Sequence, residues 1–214
     1  METKISHRYR LVLFVMTSLI LMVSGAQERT ADELLTEGLK KYKAKSGKIN
    51  YVISGDAKGE EILAFDAHGW TSMRMQTMIF KLYGLQTMQT LHEVRDGDWV
   101  YLINEGDSTF RRKKDFKWSQ QAAYKDPAAV SEAVLFSLGG VQSADSLLLN
   151  KTCQVWTFEN KALQELWIWE GLVMKRKTKL GKQNVVVTAT EMSIDVEPDP
   201  SVFTVPDYLK LVNE

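Results

Sequence analysis

Few side chains in this sequence could support catalysis or bind a metal, and their spacing suits neither role. The chain has one cysteine, Cys153, and three histidines, among them His68 and His92. A thiol beside an imidazole can act as an activated nucleophile. Cys153, however, lies beside Val155 in an apolar run, where a free cysteine is usually a small buried hydrophobic residue. Two histidines without a spaced third ligand do not indicate a metal site. We expect no catalytic residue, metal or cofactor.

Four carboxylates cluster where the sequence predicts turns: Asp96, Asp98, Glu105 and Asp107. As a catalytic pair, two of them would need buried environments that separate their pKa values. As turn residues, they need only side chains that bond to the local backbone. Asp96-Gly97 between two alternating runs is also a strong hairpin signal. We therefore favour the turn interpretation.

Two basic runs stand out, Arg111-Arg112-Lys113-Lys114 and Lys175-Arg176-Lys177 with Lys179. They could make transient contact with anionic headgroups of a membrane surface, at about 1 kcal/mol per basic residue. We favour the alternative that they form solvated strands whose charge prevents the addition of another strand. The whole chain has 27 Lys+Arg and 27 Asp+Glu. This balance gives no electrostatic footprint for nucleic acid.

The N-terminal segment, residues 1–26, has the three parts of a secretory signal peptide. A basic start precedes the apolar run 11–23, and Ser24-Gly25-Ala26 supplies the small residues of a cleavage site. The apolar run is shorter than the roughly 20 residues that span a bilayer, which makes an uncleaved anchor the weaker alternative. We expect cleavage after Ala26. A lone cysteine in an exported chain is more typical of a bacterial periplasm than of a disulfide-rich secreted module.

Two segments carry helical signals. Thr30 and Glu33 form a capping box before an amphipathic helix with Leu34, Leu35, Leu39 and Tyr42 on one stripe, ended by Ser46-Gly47. Asp126-Pro127 begins a second helix, which Gly139-Gly140 ends. This second helix is apolar nearly all round and must be covered on most sides. We place it in the hollow of a sheet.

The remaining mature chain alternates with period two, which indicates strands. The predicted strands are residues 48–54, 62–65, 70–77, 88–95, 98–104, 108–112, 152–158, 164–170, 172–180 and 183–195. Several are apolar on both faces: Leu166 and Ile168 alternate with Trp167 and Trp169. A single antiparallel sheet with one wet face does not show this pattern, so the second face is covered or lines an apolar cavity. We expect Phe203 and Val205 of the proline-punctuated tail to dock on the sheet.

These elements resemble the periplasmic lipoprotein carriers LolA and LolB and their wider superfamily, most closely uncharacterised LolA-like envelope proteins. The resemblance covers roughly residues 30–210 and rests on the strand Cys153-Gln154-Val155-Trp156, the Trp-rich hairpin 166–175 and the Phe-x-Val-Pro tail 201–208. It implies an α+β fold, in which a curved antiparallel sheet forms an incomplete β-barrel over an apolar helix. Residues 27–214 would then be one domain with an apolar concave surface that shelters acyl chains.

We therefore predict an exported, monomeric and non-catalytic carrier or binding protein for a lipid, a lipoprotein acyl chain or another hydrophobic ligand. Methionine and aromatic side chains adapt to irregular apolar cavities. The predicted cavity lining is Trp70, Met73, Met75, Trp99, Tyr101, Val134, Leu138, Trp167 and Trp169. Two alternatives stay open. One is an interaction module whose own helix fills the concave face, and the other is a hydrolase with Cys153 or a carboxylate pair in an open cleft.

Overall fold

A computed structural model describes residues 29–82, 84–115, 127–159 and 162–212. The expected signal peptide, residues 1–26, and the expected helix cap Asp126 lie outside these residues. Within the described ranges, no helix has the length and apolar character needed to cross a membrane.

The described chain consists mainly of β-strands, with two short α-helices and two 3-10 turns, Ala67–Gly69 and Pro200–Phe203. In chain order the elements are α1 (Ala31–Thr36), β1 (Gly47–Gly55), β2 (Ala57–Asp66), β3 (Thr71–Leu82), β4 (Leu85–Asp96), β5 (Trp99–Asn104), β6 (Thr109–Lys114), α2 (Pro127–Ser137), β7 (Gly140–Leu148), β8 (Lys151–Phe158), β9 (Leu163–Trp169), β10 (Leu172–Leu180), β11 (Gln183–Ile194) and β12 (Lys210–Leu211).

All these strands belong to one 12-stranded sheet with the order β12-β6-β5-β4-β3-β2-β1-β11-β10-β9-β8-β7. Two meanders, β1–β6 and β7–β11, meet where β1 pairs with β11. Neighbours are antiparallel except for β12, which runs parallel to β6. The sheet stays open, with β12 and β7 at its edges. The predicted α+β class with a curved, unclosed antiparallel sheet is confirmed. Strand β7, which is mostly exposed, and the short β12 were not predicted from the sequence.

The ion pair between Glu61 and Arg176 shows that the sheet is strongly curved. Glu61 lies on β2 and Arg176 on β10, with β1 and β11 between them. In a flat sheet these strands would lie about 14 Å apart. Arg176 nevertheless donates to both carboxylate oxygens of Glu61, with Nη1 at 3.0 Å from Oε1. Tyr51 of β1 likewise donates to the carbonyl of Val173 on β10, at 3.0 Å. The sheet therefore bends toward the side that carries Glu61 and Tyr51, which we call the concave face.

The first helix begins as predicted but ends much earlier. Thr30 and Glu33 form both bonds of the capping box. The helix ends at Thr36 because Gly38 adopts a φ of 76°. The amides of Gly38 and Leu39 donate to the carbonyls of Leu35 and Leu34, at 2.8 and 3.0 Å, in a Schellman motif. The predicted continuation of the helix to Tyr42 was wrong, and residues 37–46 cross one end of the sheet as irregular chain.

The apolar core consists of several clusters. The main one joins β1, β2, β10 and β11 and includes the fully buried Ile49, Phe65, Leu172 and Met174. Each such side chain contributes about 1.5–3 kcal/mol through burial. A second cluster lies beneath the C-terminal tail, where Phe203 and Val205 pack against β2–β5 as predicted. A third places Leu135 of α2 against β8 and β9. Leu135 is buried as predicted, but Phe136 and Leu138 are 59% and 51% exposed, so the prediction that this helix is covered on most sides is wrong for its described residues.

The turn between β4 and β5 offers a test of how residues 29–31 dock on the sheet. Gly97 has a φ of 56°, and a Cβ there would overlap the Arg29 carbonyl oxygen and lie 2.7 Å from the Thr30 carbonyl carbon. Gly181, in the β10–β11 turn, has a φ of 63° and open space around its Cβ position. Both alanine variants carry left-handed strain of about 1–2 kcal/mol.

We expect Gly97→Ala to lower the free energy of unfolding by about 1–3 kcal/mol more than Gly181→Ala, because only the first variant must also displace backbone. Urea unfolding of both variants measures this difference. Equal losses would show that residues 29–31 do not pack on this turn.

Candidate functional site

The structure distributes the nine predicted lining residues among separate places. Trp70 is buried in a cluster with α1, and its Nε1 donates to the Leu39 carbonyl at 2.9 Å. Met73 and Tyr101 lie in the cluster beneath the C-terminal tail. Val134 is half-buried on α2, whereas Met75 and Leu138 are exposed. These six residues do not meet around one cavity.

The three other tryptophans of the predicted lining each have a cation over the indole ring. The Lys175 ammonium lies 4.3 Å from the ring centroid of Trp167, and the Lys151 ammonium 4.5 Å from that of Trp169. The guanidinium of Arg112 lies 4.3 Å from the ring centroid of Trp99. These ring faces already make cation–π contacts. Trp167 and Trp169 also pack against the main apolar cluster.

The concave face has charge at its centre, where the resemblance implied an apolar surface. Glu61 is 1% exposed and pairs with Arg176. Gln76 donates to its Oε2 at 2.7 Å, and Arg74 Nε lies 3.7 Å from its Oε1. The interpretation of the second basic run as a solvated edge was therefore wrong for Arg176. That run lies on β10, an interior strand, and alternation turns Arg176 toward Glu61 while Lys175 pairs with Glu165.

The first basic run and the acidic turn residues follow the predictions more closely. Residues 111–114 are exposed on β6, which is followed at the sheet edge only by the short β12. Asp96 accepts a bond from the Ala31 amide at 3.3 Å, and Asp107 accepts one from Asn104 at 2.7 Å. Asp98 departs from the pattern because it is buried, with Arg29 Nε at 3.8 Å.

An apolar opening lies at the turn ends of the β1–β2, β3–β4 and β10–β11 hairpins. We call it the rim groove; its volume is about 670 Å³. Its lining is Gly55, Asp56, Lys58, Ile79, Phe80, Lys81, Gln86, Lys182 and Gln183. This volume lies within the range of small-molecule sites.

Exposed apolar side chains continue from the rim groove along the β3–β4 hairpin. Ile79 is 38% exposed, and Met88, its register partner on β4, is 66% exposed. Leu85, at the start of β4, is 73% exposed. Met75, one of the nine predicted residues, precedes Ile79 by an even number of residues and so lies on the same side of β3. The groove was not predicted from the sequence, because the third predicted strand ended at Thr77 whereas β3 continues to Leu82. The alternation through Ile79 and Lys81 was the available signal.

Cys153 behaves as the small buried hydrophobic residue that the sequence predicted. It is fully buried in the main apolar cluster. Its Sγ lies 3.6 Å from the Lys151 carbonyl oxygen, and burial raises the pKa of the thiol. The described ranges contain no group of three or more His, Cys, Asp or Glu side chains arranged to hold a metal ion.

Comparisons with known proteins inform the fold. No family model and no curated protein matches the chain. An uncharacterised conserved protein from Thermus thermophilus aligns at 10% identity over 85% of this chain and 98% of its own, with a TM-score of 0.51. This likeness concerns the fold alone. The curved, open antiparallel sheet expected from the sequence is confirmed at that level.

Two further solved structures are similar over most of this chain but superpose less well. In the Pseudomonas aeruginosa MucA/MucB complex, the match has 12% identity over 86% of this chain and a TM-score of 0.43. It spans 64% of that chain, less than two thirds of its length. A putative outer membrane lipoprotein-sorting protein domain from Vibrio parahaemolyticus matches at 7% identity, over 81% of this chain and 95% of its own, with a TM-score of 0.31.

The Glu61 network predicts a large difference between two charge-neutralising variants. Glu61→Gln removes the charge that faces Arg176 and Arg74 in the interior, whereas Glu165→Gln removes the partner of Lys175 in a more exposed pair. We expect a loss of about 3 kcal/mol in the free energy of unfolding for Glu61→Gln, the low end for a broken buried pair, because the guanidinium groups are partly exposed. For Glu165→Gln we expect about 0–1 kcal/mol. Urea unfolding of both variants measures this difference. Equal losses of unfolding free energy would contradict a structural role for Glu61.

The buried thiol makes a separate prediction. Because Cys153 is inaccessible and its pKa is raised, the native protein should react with a soluble aromatic disulfide reagent far more slowly than the urea-unfolded protein. The unfolded chain should release one equivalent of chromophore. Rapid stoichiometric reaction of the native protein would show an open, reactive cysteine and would revive the hydrolase alternative.

Proposed function

We propose that the protein is an exported, non-catalytic binding protein or carrier whose rim groove holds a hydrophobic ligand, either a lipid or an acyl chain. The observation that carries the proposal is the groove itself. It combines a volume of about 670 Å³ with the partly exposed Ile79 and Phe80 in its wall. An acyl chain seated there would gain roughly 0.8 kcal/mol for each methylene that leaves water.

The surface beside the groove supports the same proposal. Ile79 and its register partner Met88 hold neighbouring apolar side chains in water on one face of the β3–β4 hairpin. Exposed apolar side chains that lie side by side are typical of an interaction site rather than of ordinary protein surface. Covering it would contribute about 25 cal/mol per Å² of apolar area removed from water.

Charge at the groove favours a ligand with an anionic headgroup. Lys58, Lys81 and Lys182 contribute three positive charges to the lining. Asp56 is the one acid among the described residues of that lining, and its carboxylate already accepts a bond from the Asn184 amide at 2.7 Å. A fatty acid or an anionic lipid would place its tail on Ile79 and its headgroup among the lysines. The same lysines would support transient contact with an anionic membrane surface.

Export to a bacterial periplasm is part of the proposal. Residues 1–26 have the composition of a cleavable signal peptide, with cleavage after Ala26. The remaining chain has Cys153 as its one cysteine, so its stability depends on packing and not on disulfides. We propose that it acts as a single monomeric domain.

A second candidate function, a protein–protein interaction module, is favoured by two other observations. The interior is filled by the protein's own side chains, with Phe65 and Trp156 completely buried. The edge strand β7 also exposes Val141 and Leu147. An exposed edge strand can pair with an extended segment of a partner.

Native mass spectrometry of the protein exported from its full-length gene, followed by lipid extraction, is the primary experiment. We expect a stoichiometric acyl or lipid species to copurify. Binding of a fluorescent fatty acid then tests the location, with Ile79→Asp as the variant in the groove. Val52→Asp is the matched control, since Val52 is 47% exposed on β1 and outside the groove lining.

We expect Ile79→Asp to weaken binding of the fluorescent fatty acid at least about tenfold, because the ligand would cover an unpaired carboxylate. Val52→Asp should leave the affinity unchanged. If the two variants changed the affinity equally, the ligand would not bind in the rim groove. An unliganded mass together with no uptake of added lipid would overturn the carrier proposal and favour the interaction module.

A further inference from the structure

A small charged cavity lies at the other end of the strands that form the rim groove. Its volume is about 150 Å³, and it separates the irregular segment after α1 from the concave face of β2–β4. We call it the basic cavity. Its charged lining is Lys41, Arg74, Glu93, Arg95 and Asp115, and its neutral polar lining includes Tyr42 and Ser72. At about 30 Å³ per water, this space exceeds what a single water fills.

Lys41 is the most unusual member of the lining. It is 4% exposed, and its ammonium lies 4.3 Å from the ring centroid of Trp70. None of the ion pairs among the described residues includes this ammonium. Burial lowers the pKa of Lys41 well below its usual value, and the charge of Arg95 lowers it further. An ammonium buried against an aromatic ring alone is costly, so an anionic partner in the cavity would stabilise it.

Arg74 contributes a second cation to the lining of the same cavity. Its Nε is enclosed by protein and makes no hydrogen bond to a described residue, because the nearest carboxylate oxygen, Glu61 Oε1, is 3.7 Å away. Two cationic donors from different chain segments thus face one small space.

The carboxylates in the lining do not satisfy these donors. Asp115 accepts a bond from Arg95 at 2.9 Å, and Glu93 lies 3.9 Å from the same guanidinium. Both acids pair with Arg95, although their charges and that of Asp98 also raise the pKa of Lys41. The described lining carries three positive and two negative formal charges.

From this geometry we propose that the basic cavity is a binding site for a phosphate group, held by Lys41 and Arg74 with Arg95 behind them. Phosphate suits the site because it offers acceptor oxygens to donors on three chain segments at once, whereas a carboxylate offers two oxygens. The phosphate belongs either to a free small molecule or to the headgroup of a lipid. This site lies apart from the rim groove, and the proposal does not depend on the proposed function.

Titration calorimetry of the exported protein with inorganic phosphate tests the site, with chloride used to hold the ionic strength constant. The variant is Lys41→Met, which keeps the apolar stem and removes the ammonium. The control is Lys175→Met, because Lys175 also lies 4.3 Å from an indole ring centroid but has Glu165 as a partner at 2.9 Å. We expect phosphate to bind the wild type and the control equally, and Lys41→Met at least about tenfold more weakly.

Thermal unfolding without phosphate shows that Lys41→Met still folds. We expect its Tm to equal or exceed that of the wild type, because the variant no longer buries an unpaired ammonium. If the Tm of Lys41→Met is at least as high as that of the wild type, the variant is folded, and its loss of phosphate binding cannot come from unfolding. Equal phosphate affinity of Lys41→Met and wild type would overturn the proposal, as would equal affinity of the wild type for acetate.

Short-chain phosphatidic acid, used below its micelle concentration, distinguishes the two sources of the phosphate. Binding of inorganic phosphate and of this lipid with similar affinity indicates a free phosphate ligand. A lipid affinity at least tenfold higher, lost in Lys41→Met, indicates a headgroup. Binding of neither ligand overturns the site. Ile79→Asp should leave inorganic phosphate binding unchanged. The experiments can therefore contradict the rim-groove proposal and the basic-cavity proposal independently.

Discussion

The buried carboxylate of Glu61 is the constraint on which the shape of the molecule depends. A carboxylate that is 1% exposed must be paired, and the partner here comes from β10, across two intervening strands. Arg176 can reach it only if the sheet bends sharply. That bend also brings the Tyr51 hydroxyl to the Val173 carbonyl and packs the inward side chains of β1, β2 and β11 into one cluster. Curvature, core and ion pair therefore form together.

The same bend decides where ligands can bind. The centre of the curved sheet holds charge and close-packed apolar side chains among the described residues. Two cavities lined by described residues lie at the ends of the strands. At one end, residues 37–46 cross the sheet and enclose the basic cavity. At the other, the hairpin turns leave the rim groove. Arg74 and Phe80 lie six residues apart on β3, or about 20 Å, so the two sites share strands without sharing a lining.

Local signals in the sequence predicted the parts of the fold that local chemistry determines. The Thr30–Glu33 capping box and the hairpin at Gly97 are confirmed because each depends on residues adjacent in the chain. Gly38 was overlooked inside an otherwise helical stripe, although a left-handed residue at that point ends the helix. The pairing of Glu61 with Arg176 could not be predicted, because it depends on β1 pairing with β11 and on the curvature of the sheet. The predicted Trp and Met lining failed to converge for the same reason: alternation identifies the side of a strand but not what covers it.

The two proposed sites both depart from ordinary packing. Ordinary packing buries apolar side chains such as Phe65 and pairs charged ones such as Lys175. At the rim groove Ile79 is exposed, as is Met88 beside it, and at the basic cavity Lys41 is buried without a carboxylate partner among the described residues. Sequences that fold well satisfy local rules almost everywhere, and their exceptions concentrate at functional sites. The two departures differ in kind, because the rim groove lacks an apolar cover and the basic cavity lacks an anion. A hydrophobic chain would cover the rim groove, and an oxyanion would pair with the cations of the basic cavity.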